Sequence, residues 1–456
     1  MDIKMDLKKR QESILQGNMY KTILTLSFPI MINNLIQTLY NLVDGLWISK
    51  IGSVEFAATS FVWPINFLFI SLGMGFSIAG TSILSQLLGA GEKEKANRYA
   101  SQLIVLSILL GIALAGIGVL LSKPIIMMMG VQDEILHFGD LYLKLTLLDL
   151  PFMFLFAIFN ATMNSQGNMV LPTVLSAISA IINTVLDPIL MFTFNMGVAG
   201  AAIATVISKA ILAITGIIIL FKGNTAIKPN FKNFKFDKDI ILNSVKVALP
   251  ASIGQSGSAM GFLVLNTFIV SYGTSTMAAY AMVNRVTSLV MQPAMGIGTS
   301  LVSIVGQNLG ANNLTRAKEG FSKAITVTSI IGVLGGILLV VFRGPIVNFF
   351  MQSKDDMKVI EQGITYLVIM SVSMPLMGIF SVLQGLFQGS GHTKYAMSME
   401  IGRLWFVRLP MILLFKYFSS MNEIGIWLSM SSSNLIICIY GYLMYKRGRW
   451  MDRISR

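Results

Sequence analysis

Two carboxylates stand inside long apolar runs: Asp44 in NLVDGLWIS and Asp187 in NTVLDPIL. A carboxylate at a helix centre in a bilayer costs roughly 2.5–3.5 kcal/mol on insertion scales, so such residues are rare, paired and functional. Asn183 precedes Asp187 by four residues and therefore shares its helix face. Counted from the outer ends of their runs, Asp44 is about four residues in, Asp187 and Tyr142 about five, and Thr205 about seven; at about 1.5 Å per residue these depths agree within a few ångströms. Carboxylates, an amide oxygen, a hydroxyl and a phenol at one level are hard-oxygen ligands suited to Na⁺, or to a hydrogen-bonded proton site. Two nearby carboxylates in a dry site cannot both ionise cheaply. A proton, a sodium ion or a cationic substrate would each relieve the repulsion, and competition among them is a sufficient basis for antiport.

The elements that must hold these groups are membrane spans. The chain is 54% hydrophobic and 12% charged, against roughly 25% charged for a soluble domain, and its mean hydropathy is +0.72. Apolar windows long enough to cross about 30 Å of hydrocarbon fall at 22–48, 56–85, 98–121, 137–160, 168–192 and 198–221. A second set falls at 243–271, 276–305, 319–342, 359–385, 394–416 and 424–445. These windows predict an all-α polytopic membrane protein of twelve transmembrane helices, in six-helix lobes at 22–221 and 243–445. A polar segment 1–21, a lysine-rich linker 222–242 and a basic tail 446–456 lie outside the lobes. Lys and Arg concentrate in the N-terminal segment, around Lys93–Arg98, in the linker, around Arg316–Lys323 and in the tail. The outer loops hold few, among them Lys50, Lys123, Arg343, Lys354 and Lys358. The positive-inside rule then places both termini in the cytoplasm, and the net charge of +13 reflects those loops rather than nucleic-acid binding. Cys438 is the sole cysteine, so no intrachain disulfide is expected. The first span is too long for a signal-peptide core, so no cleavage is expected. His137 and His392 lack metal-ligand spacing and no nucleophile elbow is present, so enzyme chemistry has no candidates and no cofactor is expected.

The halves repeat. Pro29 and Pro250 open them at an offset of 221, and SQLLGAGEKEKA then aligns with GQNLGANNLTRA, pairing Gln86, Gly89 and Ala90 with Gln307, Gly310 and Ala311. At an offset of 224, Tyr142 matches Tyr366 and Pro151 matches Pro375. Six helices per half give both repeats the same orientation, so a pseudo-two-fold axis along the membrane normal relates the lobes, a transporter plan compatible with rocking about a central cavity.

With this duplication, the twin Q-x-x-G-A blocks, NLVDGLW, NTVLDPIL and GVAGAAIAT, the chain from Pro29 to about Tyr445 resembles the multidrug and toxic compound extrusion (MATE) family. It is similar to the DinF-like and MepA-like branch rather than the NorM-like one, because the seventh and tenth spans carry no carboxylate. The resemblance implies a monomeric antiporter of the bacterial plasma membrane that exports bulky, often cationic, amphiphilic compounds in exchange for H⁺ or Na⁺. It implies a cation site at Asp44, Asn183, Asp187 and Thr205, with Tyr40 and Tyr142 as neighbouring cavity residues. A flippase for a lipid-linked saccharide or cell-wall precursor is the related design with another cargo.

Further polar groups lie within spans. Asp149 and Lys209 sit at equal depth in the first lobe, which suggests a buried ion pair holding the lobe together; the rival reading puts Asp149 on the proton path or in the cavity. In the second lobe, Gln255 and Arg285 are candidate cavity residues, and Glu400 lies one turn from Arg403, as a local pair would. Arg403 and Arg408 add further positive charge there. Most of the 30 Met and 28 Phe are lipid-facing or core residues, while some should line the cavity and accommodate varied organic cations.

Overall fold

The computed structural model describes residues 3–130, 133–222, 225–232, 234–350 and 357–454. The outer-loop residue Lys354, parts of the linker and the last two residues of the tail lie outside the described residues. Among the described residues the chain is helical with no strand. Ten helices are long and apolar enough to cross a membrane: α2 (Met19–Ser49), α3 (Ser53–Gly89), α4 (Lys93–Met128), α7 (Val170–Pro188, running on to Thr193), α8 (Gly197–Lys222), α9 (Lys238–Val270), α10 (Thr274–Gly310), α11 (Leu314–Val341), α13 (Met357–Gly389) and α16 (Asn422–Lys446). The fourth expected span is a bent pair, α5 (Asp133–Leu147) and α6 (Leu150–Ser165), meeting at 43°. The eleventh is α14 (Thr393–Ile401) and α15 (Leu409–Phe418) joined by a π segment at Gly402–Arg408. Twelve spans in two lobes result, and the short helices α1 (Ile3–Gln16) and α12 (Arg343–Phe350) complete the chain.

Two departures from straight helices have local causes. Pro151, in the first turn of α6, has no N–H to continue the ladder from α5, so the span bends there, with Asp149 at the break. Past Pro188 the fifth span widens into a π segment, Ile189–Thr193, directly after Asp187. π-Bulges of this kind are frequent at functional sites.

The repeat is visible in the packing. A Cβ at Gly111 would meet Pro151 Cα at 2.6 Å, and one at Gly332 would meet Pro375 Cα at the same distance. The twin Q-x-x-G-A blocks lie at the end of the bundle that carries both chain termini, where α3 crosses α10. There Gly89 approaches the Gln307 carbonyl and Gly310 approaches that of Gln86; an added Cβ would fall 2.0 Å from the oxygen in either case. Gln86 Nε2 donates to the Gly389 carbonyl (3.2 Å) and Gln307 Nε2 to that of Ser165 (2.7 Å). Ser82 and Ser303 repeat the pattern, donating to Gly389 (3.1 Å) and Asn164 (2.7 Å). Small residues let backbones approach this closely, and the buried amides satisfy carbonyls across the lobe boundary. The glutamines therefore join the lobes at this end, a role their sequence match alone did not assign.

Both chain ends add to the same seam. The N-terminal segment, expected only as polar chain, forms α1 and packs on α2 and α10. Arg316 donates from Nε to the Ile14 carbonyl (3.0 Å), Asn308 Nδ2 to the same oxygen (3.3 Å), and Gln11 Nε2 to Leu88 (3.1 Å). The tail folds back so that Trp450 is fully buried, Arg453 pairs with Glu92, and the Ile454 N–H donates to Gln86 Oε1 (3.2 Å). In the linker, the Lys228 and Asn230 N–H groups donate to Asn97 Oδ1 (2.7 Å) and Ser101 Oγ (2.9 Å), fastening it to α4.

Candidate functional site

The first lobe assembles its polar site near the opposite end, from α2, α5, α7 and α8. Asp187 is fully buried on α7, Asn183 one turn earlier is 1% exposed, and Thr205 on α8 is 7% exposed. Asn183 Nδ2 donates to Asp187 Oδ1 (3.3 Å) and to Thr205 Oγ1 (3.4 Å). Because Thr205 accepts there, its own proton is available to the Tyr40 hydroxyl 3.2 Å away on α2. Asp44, one turn after Tyr40, lies within electrostatic reach of Asp187, and Tyr142 on α5 lies within reach of Asp44, Tyr40, Asp187 and Asp149. The four residues expected at one depth, Asp44, Asp187, Thr205 and Tyr142, therefore stand around one locus with Asn183 and Tyr40: Tyr40, Asn183, Asp187 and Thr205 are linked by hydrogen bonds, and Asp44 and Tyr142 lie within electrostatic reach.

Asp44 Oδ1 and Asp187 Oδ2 are both buried with no donor among the described residues. A buried acceptor without a partner is costly, more so on a carboxylate. An arriving proton or a small oxygen-seeking cation would satisfy both atoms. The donor set at Asp44, Asn183, Asp187 and Thr205 consists of oxygens plus one amide, which fits Na⁺ and does not suit a soft metal.

An apolar layer covers this locus. Trp47, one turn beyond Asp44, meets Phe192 of the π segment edge-on at 6.2 Å. Ile48, Met191 and Ala201 are buried together, with Tyr142 and Trp47 packed against them. The π segment thus delivers Met191 and Phe192 to the layer directly after Asp187. Sequence reading missed this layer; the aromatic residue one turn after Asp44 was the available signal.

Asp149 and Lys209 form an ion pair, with Lys209 Nζ donating to Asp149 Oδ2. The Asp149 side chain is 8% exposed and that of Lys209 27%. Breaking a buried pair typically costs about 3–5 kcal/mol, and the partial exposure of Lys209 lowers this. Asp149→Asn should cost roughly 2 kcal/mol, read as a lower Tm of the purified protein, and adding Lys209→Met should recover most of the loss. A double variant as unstable as the single one would mean that the pair is not the cause.

In the second lobe, Glu400 accepts from Arg403 Nη2 (3.3 Å) and from Ser258 Oγ (2.8 Å), so the local pair exists. Arg408, buried, donates to Ser433 Oγ (3.0 Å), Asn434 Oδ1 (3.2 Å) and the Met430 carbonyl (3.4 Å), neutral acceptors throughout. Gln255 is half-buried on α9 and Arg285 exposed on α10. Both stand on the other lobe from the carboxylates and take no part in their hydrogen-bond network.

Comparison with known proteins places this architecture. The MatE family pattern matches residues 29–189 and 250–414, the two halves of the repeat. Relatives include YoeA of Bacillus subtilis, 26% identical over 91% of this chain and 92% of that protein. The multidrug export protein MepA of Staphylococcus aureus is 28% identical over 84% of each chain. Among solved structures, a MATE in complex with MaL6 superposes with a TM-score of 0.90 at 24% identity, covering 96% of this chain and 98% of that one. An outward-facing MATE transporter of the MOP superfamily superposes at 0.89 over 96% and 97%. Duplication, fold and relatives agree: this chain belongs to the MATE family of membrane transporters, which are not enzymes.

Proposed function

We propose that the protein is a cation-coupled antiporter exporting bulky organic cations by alternating access, driven through the carboxylates of its first lobe. The observation that carries this reading is the pair of unpartnered buried oxygens, Asp44 Oδ1 and Asp187 Oδ2, on charges close enough to repel. With the site empty, both groups cannot hold full charge in a dry lobe at low cost. A proton, or Na⁺ taken by Asp44, Asn183, Asp187 and Thr205, neutralises the repulsion from one side of the membrane. A cationic substrate neutralises it from the other, and since each satisfies the same oxygens, each displaces the other. Differential binding of this kind exchanges two cations without a direct contact between them. Tyr40 and Tyr142 flank the carboxylates, and the Asp149–Lys209 pair holds the lobe rigid behind them.

Closure across Gln86, Gln307, α1 and the tail supports assigning the structure to the state closed at the terminal end. With the positive-inside rule, that end faces the cytoplasm of a bacterial plasma membrane. MepA, named as a multidrug export protein, supports a cargo of structurally varied drugs. The test is ethidium efflux from cells expressing the full chain, with proton and sodium gradients imposed separately. Efflux driven by one gradient supports the reading and names the ion. Efflux indifferent to both gradients overturns the coupling, and its absence with the protein present in the membrane shifts the reading to a lipid-linked saccharide cargo.

A further inference from the structure

A cavity of about 420 Å³ opens at the terminal end of the bundle on the seam between the lobes. The first lobe contributes Ile83 and Tyr99, the second Asn243, Lys246, His392 and Lys394, and Ile454 of the tail closes one side. Among the described residues no carboxylate lines it. Many cations at this end are paired: Lys95 and Arg453 with Glu92, and Arg316 and Lys323 with Glu319. Lys246 and Lys394 are exposed and, among the described residues, neither has a carboxylate partner.

The walls are held in register. Thr393 Oγ1 donates to the Val247 carbonyl (2.7 Å), which sets Lys394 at the start of α14 beside Lys246 on α9. Asn243 Nδ2 donates to the Tyr99 hydroxyl (3.5 Å), tying α9 to α4 and leaving the phenol proton for another acceptor. Burial holds His392 below the usual imidazole range, so it adds a polar surface without a further charge; Asp452 of the tail is the carboxylate whose field reaches it. The chemistry on offer is two ammonium groups and a phenol donor around one space, which suits a phosphate.

The exposed face of α9 indicates where that phosphate comes from. Leu242, Val245, Leu249 and Ile253 form an exposed apolar stripe running past Lys246 into the membrane. A headgroup at Lys246 and Lys394 would lay its acyl chains along that stripe, at the depth where basic pockets between helices recognise anionic headgroups.

We propose that this inter-lobe cavity binds the phosphate of an anionic phospholipid through Lys246, Lys394 and Tyr99, and that the bound headgroup stabilises the closed terminal end. The ligand touches both lobes and the tail only while they are together, so by linkage its binding favours that state. The site is separate from the carboxylates and stands or falls independently of the coupling ion.

The test uses the full chain purified in detergent, titrated with dioctanoyl phosphatidylglycerol, dioctanoyl phosphatidylcholine or inorganic phosphate, with melting temperature and native mass spectrometry as readouts. Phosphatidylglycerol should raise Tm saturably and form a discrete adduct, and phosphatidylcholine should do neither. Lys246→Gln/Lys394→Gln should weaken the apparent affinity at least about tenfold, since each Lys near an anionic headgroup contributes about fivefold, while Lys246→Arg/Lys394→Arg stays within about threefold. Saturable protection by inorganic phosphate, lost in the glutamine variant, would keep the site and make its ligand a soluble phosphate. Equal binding of the two lipids, or unchanged affinity in the glutamine variant, would overturn the proposal.

Discussion

Asp187→Asn should reduce gradient-driven efflux at least about a hundredfold, an effect of roughly 2.7 kcal/mol, while the folded protein persists. Asparagine keeps the shape of the side chain, and its carbonyl oxygen can still accept from Asn183 Nδ2, the one donor to Asp187 among the described residues. It loses the charge. With Asp187 neutral, Asp44 no longer faces a like charge, and an arriving cation has no repulsion to relieve. Asp187 is fully buried, so water cannot supply the missing interaction. Binding of a cationic drug should weaken along with coupling, whereas Tm should stay within a few degrees of the parent, because a buried carboxylate with one unpartnered oxygen contributes little to stability. Asp44→Asn should show the same loss of efflux, since the proposed exchange needs both charges. Efflux and its ion dependence should be measured in proteoliposomes at matched protein content. If either variant retained parental gradient-driven rates, coupling would have to lie elsewhere, and Asp149 would be the next carboxylate to examine.

The second large effect is expected far from the carboxylates. Gly89→Ala should destabilise the state closed at the terminal end, because its new Cβ would stand 2.0 Å from the Gln307 carbonyl oxygen. The atom in the way is backbone, so no rotamer change relieves the contact and α3 must back away from α10. Overpacking of this kind costs about 1–3 kcal/mol, a 5- to 150-fold shift between states. Gly310→Ala should act alike through the Gln86 carbonyl, while Gly116→Ala, with open space around it, should be silent. The readout is a cysteine at Ser85, fully buried against Gly306 of the other lobe, in a Cys438→Ser background, labelled by a membrane-impermeant maleimide. Labelling should rise at least about fivefold in both glycine variants and not in the control. Parental labelling in Gly89→Ala would mean that the helix crossing is compliant and that the glycine pair does not hold the seam.

Asp44, Tyr142, Asp187 and Thr205 could be placed at one depth from sequence, because an α-helix rises by a fixed amount per residue and the outer ends of the spans are marked by polar loops. Asn183 and Asp187 could also be placed on one face, since four residues make about one turn. The span count, the two lobes and the twin Q-x-x-G-A blocks were legible for the same reason: membrane length, apolar composition and internal identity are properties of a linear string. The Asp149–Lys209 pair was within reach as well, from equal depth and opposite charge in one lobe.

The rotation of each helix about its axis and the distances between helices were not legible, and they decide the chemistry. Only the packed structure reveals that Asp44 Oδ1 and Asp187 Oδ2 have no donor, because that is a statement about every neighbouring side chain at once. Only packing turns Gln86 and Gln307 into matched bonds across the lobe boundary. The chain ends show the limit most clearly. Residues 3–16 and the basic tail have the composition of solvated loops, yet Ile14 and Trp450 are buried in the same core. What seats them is the groove made by α2, α10 and α16, whose shape no local pattern in either segment encodes. The sequence by itself therefore determined the membrane class, the duplication and the level at which the carboxylates sit. The tertiary structure decided which of their atoms lack partners and how the lobes are held shut, because both depend on contacts between residues hundreds of positions apart.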